Sequence, residues 1–121
     1  MPLSNLCVLV VDDYEPLSYL KAILLRRAGA VVREAHNARD ALRILQKERM
    51  DLALLDVNLP EMSGKELREK MRADPATAAV PVIFTSASDR PTLLEPDDVF
   101  FQEPLDTAAL FEAIDRMVQR G

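Results

Sequence analysis

The sequence predicts an α/β fold in which a parallel five-stranded sheet is covered by helices. Short apolar runs rich in Val and Leu alternate along the 121 residues with segments of helical periodicity. Such runs are typical of strands that are buried on both faces of a parallel sheet. Two of them, residues 6–11 and 52–55, are followed directly by carboxylates. Because the carboxyl ends of parallel strands open into the ligand crevice, these acidic residues are candidates for a functional site.

The first half of the chain predicts two strands, each followed by a helix. After the strand at 6–11, Pro16 suits the first turn of a helix that stops at Gly29. The second strand covers 31–35, and Asn37 can cap the next helix. The apolar positions of the two helices recur at helical spacing: Leu17, Leu20, Leu24 and Ala28, then Ala38, Ala41, Leu42 and Leu45.

The second half continues the alternation. The third strand ends at Asp56, and Ser63 with Glu66 predicts a capping box for a helix that buries Leu67 and Met71. Strands follow at 80–84 and 99–101. Asp106 caps the last helix, whose buried side is predicted to comprise Ala109, Leu110, Ala113, Ile114, Met117 and Val118.

Five strands alternating with helices favour the flavodoxin-like, doubly wound (αβ)5 arrangement with strand order 2-1-3-4-5. In this order the first and third strands are neighbours, close to the ends of the fourth and fifth. The segment 88–98 contains Pro91 and Pro96, and at most about one helical turn fits between these two prolines. We therefore expect the fourth helix to be shortened or missing.

Length and composition favour a single domain over residues 1–121. No apolar stretch is long enough to span a membrane, and the N-terminus lacks the basic region of a signal peptide. The net charge of −5 argues against direct nucleic-acid binding. The lone Cys7, within an apolar strand, is expected to be a core residue. A cytoplasmic protein without a membrane partner is the simplest interpretation.

Three aspartates, Asp12, Asp13 and Asp56, are expected to meet at the sheet edge. Clustered carboxylates need a cation or another compensation, so the pattern indicates a metal site. An alternative is that Asp12 and Asp13 only cap the first helix and interact favourably with its dipole.

Four segments of the sequence resemble the receiver domain of two-component response regulators: residues 10–13, 55–64, 84–87 and 103–105. The resemblance implies Mg²⁺-dependent transfer of a phosphoryl group from a sensor histidine kinase or phosphotransfer protein to Asp56. It also implies a downstream protein effector and allows a homodimer through the fourth helix, fifth strand and fifth helix. Such a domain is a signalling module and not an enzyme.

The resemblance also implies a role for each site residue. Asp13 and Asp56 would coordinate Mg²⁺ directly, Asp12 would act mainly through water, and Asn58 would contribute its backbone carbonyl. The Asn58 side chain would face the phosphoryl group and influence its hydrolysis. Thr85 would hydrogen-bond a phosphoryl oxygen and move inward on activation, and Phe100 would change rotamer with it. Taken alone, Phe100 is equally typical of a core aromatic.

Glu103 departs from the family, which has a lysine at this position. If Glu103 points inward, four carboxylates share the site, and without metal at least one should have a raised pKa. Alternatively, Glu103 turns to solvent, and Arg90 from the preceding loop could replace the lysine. The departure leaves open a pseudo-receiver, which binds proteins without stable phosphorylation. A small Mg²⁺-dependent aspartyl phosphotransferase or phosphatase is a weaker alternative, because 56–58 lacks a second aspartate. A flavodoxin is weaker still, since no phosphate-binding loop follows the first strand.

Overall fold

The computed structural model describes residues 1–119, which form a parallel sheet with helices on both faces. The strands are β1 (Cys7–Val11), β2 (Val31–Ala35), β3 (Leu52–Asp56), β4 (Val82–Ser86) and β5 (Val99–Gln102). Their order is β2-β1-β3-β4-β5, and every neighbouring pair is parallel. The predicted α/β flavodoxin-like topology is therefore confirmed.

Within residues 1–119, four helices connect or follow the strands: α1 (Glu15–Arg27), α2 (Ala38–Lys47), α3 (Gly64–Ala73) and α4 (Thr107–Gln119). Asn37 and Asp106 accept a backbone N–H from the first turn of α2 and α4, respectively. Ser63 and Glu66 form the predicted capping box at the start of α3. No helix within residues 1–119 has the length and apolar character needed to cross a membrane.

Each face of the sheet carries its own apolar core, as the alternation of side chains along a strand requires. Val8 and Val10 of β1 point to one face, where they belong to a cluster with Leu25 of α1 and Ile114 of α4. The intervening Leu9 and Val11 belong to the opposite cluster, built with α2 and α3. The central strands contribute side chains to both cores, so packing on both faces of the sheet holds the carboxyl ends of these strands in place.

The buried face of α1 differs from the one predicted. Leu20 is 51% exposed, and the buried residues of the helix are Ser18, Lys21, Ala22 and Leu25. The apolar spacing therefore identified the helix but placed its inner face about one residue off. The observed orientation of α1 turns Lys21 toward the interior of the domain.

Residues 87–98, between β4 and β5, form turns in place of a fourth helix. The guanidinium of Arg68, on α3, donates to both carboxylate oxygens of Asp98 and lies 5.0 Å from the ring centroid of Phe84. Arg90 donates to the backbone carbonyls of Glu95 (2.6 Å) and Asp98 (2.9 Å). The predicted loss of the fourth helix is thus accompanied by an ion-paired turn anchored to α3.

Burial and ion pairing have opposite effects on the pKa values of Arg68 and Asp98. Burial alone would raise the pKa of Asp98, but the hydrogen bond from Arg68 and the backbone N–H of Glu95 outweigh it and lower that pKa. The hydrogen bond to Asp98 correspondingly raises the pKa of Arg68, against the effect of burial. Asp98 is therefore held in its ionised form by its partners.

Candidate functional site

The carboxyl ends of four neighbouring strands meet at one edge of the sheet. Asp56, the last residue of β3, lies in register beside Thr85 of β4. Asp12 and Glu103 are the first residues after β1 and β5, and the Glu103 N–H donates to the Ser86 carbonyl (2.8 Å). The topology thus brings together side chains from segments that are far apart in sequence.

Asp12, Asp13 and Asp56 form an acidic cluster at this edge. One carboxylate oxygen from each lies within 4.8 Å of the others, and burial falls from the enclosed Asp12 through the half-buried Asp56 to the exposed Asp13. Oxygen ligands arranged between the interior and the solvent suit a hard cation that keeps part of its water shell. The donor set therefore fits Mg²⁺.

The pKa of the Asp56 carboxyl lies above its usual value of 3.8. Burial is the largest effect and raises its pKa to about 6, and the negative charges of Asp12 and Glu103 act in the same direction. The Asn58 N–H, 2.9 Å from Asp56 Oδ1, and the charge of Lys21 oppose the rise without cancelling it. At least one carboxyl pKa is thus raised, as expected, with burial as the largest cause and the neighbouring carboxylates as smaller ones, and a bound cation would favour the ionised form of Asp56.

Helix capping does not account for the first aspartates. The N-cap residue of α1 is Tyr14, whose side chain makes no capping hydrogen bond. Asp12 Oδ1 accepts the Tyr14 N–H (2.9 Å), while its Oδ2 accepts a hydrogen bond from the Lys21 ammonium (2.8 Å). Asp12 therefore links the strand end to a buried lysine as well as to the entry into the helix.

Lys21 is the site residue that sequence reasoning missed. Its Nζ lies 2.8 Å from Asp12 Oδ2, 3.0 Å from Thr85 Oγ1 and 2.6 Å from Glu103 Oε2, and its side chain is only 3% exposed. Side chains on a helix lean toward its N-terminus, which for α1 is the carboxyl end of β1. A residue two turns into α1 can therefore return its ammonium to the sheet edge.

Glu103 points into the site, so the solvent-facing alternative is wrong. Its side chain is 8% exposed, and its Oε2 is buried without a hydrogen-bond partner although the Lys21 Nζ is near. The contact is thus an ion pair that lacks hydrogen-bond geometry. Arg90 does not take the place of a site cation, since its guanidinium is bound to carbonyls of the 87–98 turn.

The remaining predicted site residues lie around this centre. Thr85 is fully buried and accepts a hydrogen bond from Lys21. Asn58 is exposed just beyond β3, and its amide nitrogen is 3.5 Å from Ser86 Oγ. Phe100 of β5 is half-buried against the core on the α2 and α3 face. The structure therefore brings Asn58 and Thr85 to Asp56, whereas Phe100 lies on the neighbouring strand β5, partly buried against the core.

An open parallel sheet with an acidic cluster at its carboxyl edge defines the chain as a flavodoxin-like protein with a candidate cation-binding site. The model of the response regulator receiver domain matches residues 8–96. The chain belongs to this family, whose members act in two-component signalling. The match ends before β5, so Glu103 lies outside it.

Relatives agree with this assignment. The chain is 30% identical to the chemotaxis protein CheY-3 of Vibrio cholerae over 123 aligned positions, covering 97% of this chain and 95% of the relative. It is 36% identical over 80 residues to the phosphate regulon transcriptional regulatory protein PhoB of Pseudomonas aeruginosa, covering 66% of this chain but only 35% of PhoB. The chain thus spans about a third of the length of PhoB.

Solved structures extend the agreement to the fold. A putative response regulator from Chloroflexus aurantiacus superposes with a TM-score of 0.87 at 24% identity, covering 97% of this chain and all of that one. At this identity the likeness concerns the arrangement of strands and helices. Receiver domains as a class bind Mg²⁺ at an acidic pocket and interact with kinases or phosphotransfer proteins and with effectors.

Proposed function

We propose that this domain accepts a phosphoryl group on Asp56 from a sensor histidine kinase or phosphotransfer protein and signals to a downstream protein effector. The observation that carries the proposal is the acidic cluster, in which the half-buried Asp56 stands between Asp12, Asp13 and Thr85. The same edge offers a carboxylate nucleophile, ligands for a cation and a buried hydroxyl. These are the groups that phosphoryl transfer requires.

Asp13 and Asp56 would hold Mg²⁺ directly, with Asp12 acting mainly through water and Asn58 contributing its backbone carbonyl. When bound, the ion supplies positive charge that offsets repulsion between the carboxylate and the phosphoryl oxygens. Burial raises the pKa of Asp56 to about 6, so a bound cation would favour its ionised form. The exposed position of Asp13 leaves a solvent path for the ion.

Asp56 can act as a nucleophile only in its ionised form, which has no proton to lose. One carboxylate oxygen would form a bond to phosphorus while the bond from phosphorus to the donor nitrogen or oxygen breaks. The electron pair of that bond leaves with the donor, which takes up a proton from solvent or stays as an anion. The Asn58 N–H, already bound to Asp56 Oδ1, orients the carboxylate for this reaction.

In this proposal Thr85 binds a phosphoryl oxygen, the Asn58 side chain tunes hydrolysis, and Phe100 responds to Thr85. Glu103 stands where the family has a lysine, so the chain is an atypical receiver. Its output face would comprise β5, α4 and the 87–98 turn, and this face could also support a homodimer. The whole of residues 1–121 would act as one domain, of which the last two residues lie outside the described part.

The second candidate is a pseudo-receiver that binds partners without stable phosphorylation. It is favoured by the Glu103 carboxylate, which points into the site and would repel a phosphoryl group. The presence of Lys21 at the same place weakens this candidate, because a buried cation already offsets that charge.

Mass spectrometry after incubation with acetyl phosphate and Mg²⁺ separates the two candidates. We expect the intact chain to gain one phosphoryl group, and we expect Asp56→Asn to gain none. Asp89→Asn is the matched control, because Asp89 is an exposed carboxylate of the 87–98 turn. An unmodified wild-type chain that still binds Mg²⁺ would favour the pseudo-receiver.

The raised pKa of Asp56 predicts how stability depends on pH without metal. The pKa of the Asp56 carboxyl is about 6 in the folded domain, whereas its usual value is 3.8. Ionising Asp56 in the folded state therefore lowers the stability of the domain. This loss of stability is absent below pH 3.8 and complete above about pH 6. After allowance for solvent screening, Asp56→Asn should stabilise the metal-free domain by about 1 kcal/mol at neutral pH.

Urea unfolding at several pH values, with and without Mg²⁺, checks this expectation. The stabilisation by Asp56→Asn should shrink as the pH falls through about 6. Mg²⁺ should stabilise the wild-type domain and act less on the variant. An Asp56→Asn domain that is less stable than wild type at neutral pH without metal would contradict the account.

A further inference from the structure

The ion pair between Lys21 and Glu103 remains without a role in metal binding or in the bond-forming step. Both side chains are nearly enclosed, with exposed fractions of 3% and 8%. A lysine is seldom buried unless it is paired, and burying an ion pair is not in general a gain in stability over apolar packing. Such a pair in the middle of a candidate reaction site calls for a functional explanation.

Of the three contacts that Lys21 makes, the one with Glu103 is the shortest but lacks hydrogen-bond geometry. The ammonium has three N–H donors and gives hydrogen bonds to Asp12 and to Thr85. Glu103 Oε2 is 2.6 Å away but accepts no hydrogen bond from any residue in the described part of the chain. A better-placed anion could therefore displace Glu103 while the other two contacts persist.

A phosphoryl group on Asp56 would be that anion. Asp56 is paired in register with Thr85, whose hydroxyl is 3.0 Å from the Lys21 ammonium. An ammonium on a flexible four-carbon stem can follow a phosphoryl oxygen over a short distance. Lys21 thus already lies beside the place where the new negative charge would appear.

We propose that Lys21 is a phosphoryl-binding residue, and that a phosphoryl oxygen on Asp56 displaces the Glu103 carboxylate from its ammonium. The inference rests on the proposed function and adds to it a cation supplied from α1. Glu103 acts as the resident anion that holds Lys21 ready in the unphosphorylated state. Its backbone is bound to β4 through the Ser86 carbonyl, so the side chain is the part that moves.

The displacement also provides a route from the site to the connection that follows the edge strand β5. Glu103 lies in the connection between β5 and α4. When its carboxylate loses Lys21 and meets a new negative charge, it has to turn away from the site. The phosphorylation state would therefore be read at the start of α4 by the position of one side chain.

The two partners of the pair should have opposite effects on the binding of beryllofluoride, a phosphoryl mimic, in the presence of Mg²⁺. We expect Lys21→Met to weaken beryllofluoride binding by about tenfold or more, because a charge-assisted contact is lost. We expect Glu103→Gln to tighten the binding, because the competing anion is removed. Lys70→Met, which neutralises an exposed lysine of α3, is the control and should match wild type.

Affinity for Mg²⁺ alone, measured in parallel, separates an effect on the anion from an effect on the metal site. Lys21→Met removes a cation that competes for Asp12, so its Mg²⁺ affinity should not fall. A pair with a purely structural role would give weaker beryllofluoride binding in both single variants. That result would overturn the inference.

A double variant covers the case in which Lys21→Met fails to fold because two buried carboxylates lose their cation. Lys21→Met/Glu103→Gln removes the charge of both partners, and we expect it to fold, bind Mg²⁺ and bind beryllofluoride weakly. Wild-type beryllofluoride affinity in this double variant would overturn the role of Lys21 and leave the proposed function intact. Failure of the wild-type domain itself to bind beryllofluoride would instead overturn the proposed function, and this inference with it.

Discussion

Arg68→Met is expected to lower the free energy of unfolding by about 2 kcal/mol. Removing one partner of a deeply buried pair costs about 3–5 kcal/mol, and access of water near the surface reduces the figure here. The substitution leaves Asp98 without the guanidinium that binds both of its oxygens, and it removes the cation above Phe84. The 87–98 turn would lose its main attachment to α3.

The loss of stability in Arg68→Met should depend on pH in a defined direction. Because the folded-state pKa of Asp98 is lowered, its pair with Arg68 contributes stability above the usual carboxyl pKa and loses it as the pH falls through the lowered value. The difference between wild type and Arg68→Met should therefore shrink in acid. Urea unfolding across the acidic range measures it.

Arg72→Met is the matched control on the same helix. Arg72 is about half exposed, and its contacts with Glu69 and Glu95 span 3.4–3.8 Å, so the expected loss is below about 0.5 kcal/mol. Pairing Arg68→Met with Asp98→Asn should recover part of the stability, since no buried charge is left unpaired. Equal losses for Arg68→Met and Arg72→Met would contradict the account.

Gly64→Ala is expected to destabilise the domain by about 1–3 kcal/mol and to weaken Mg²⁺ binding. An added Cβ would lie 2.3 Å from the Asp56 carbonyl oxygen and 3.2 Å from Val57 Cα. Both neighbours are backbone, so the chain has to shift and carry Asp56 with it. Helix propensity alone would favour alanine by about 1 kcal/mol at most, so a net loss would show that the contact decides.

Ser63→Ala distinguishes damage to α3 from damage to the site. It removes the hydrogen bond from the Glu66 N–H to Ser63 Oγ and should cost about 1 kcal/mol. It adds no atom near Asp56, so Mg²⁺ affinity should stay at the wild-type value in a calorimetric titration. Equal Mg²⁺ affinities in Gly64→Ala and Ser63→Ala would contradict the proposed link between Gly64 and Asp56.

The fold could be predicted because its signals are local. Strands buried on both faces leave continuous apolar runs, and the caps at Asn37, Ser63 and Asp106 each depend on residues within one turn. Strand order then followed from the few topologies open to such a chain. The same order placed Asp12 and Asp56 at one edge before any distance was known.

Lys21 could not be predicted in the same way, because its burial depends on contacts across the sheet. In the sequence it is a lysine in a helix, a residue that usually faces solvent, and the neighbouring leucines suggested another inner face. The sequence nevertheless contains one signal for it. A negative charge at Glu103, inside an acidic site, calls for a cationic partner. A lysine within the first two turns of a helix that follows a strand of the same sheet can supply that partner, and Lys21 is such a lysine.

The 87–98 turn was predicted in outline and missed in detail. Pro91 and Pro96 excluded a long helix, but they could not indicate what would hold the segment in place. The answer lies in the pairing of Arg68 with Asp98, 30 positions apart. Arg90, which sequence reasoning considered as a site cation, serves the turn instead.

Fluorine NMR of the domain with beryllofluoride tests most directly whether Asp56 accepts a phosphoryl group. The account predicts a resonance of bound beryllofluoride that requires Mg²⁺ and is absent in Asp56→Asn. The backbone signals of Thr85, Lys21 and Glu103 should shift with it. A wild-type domain that binds Mg²⁺ but shows no bound fluorine resonance, or a resonance that persists in Asp56→Asn, would contradict the account.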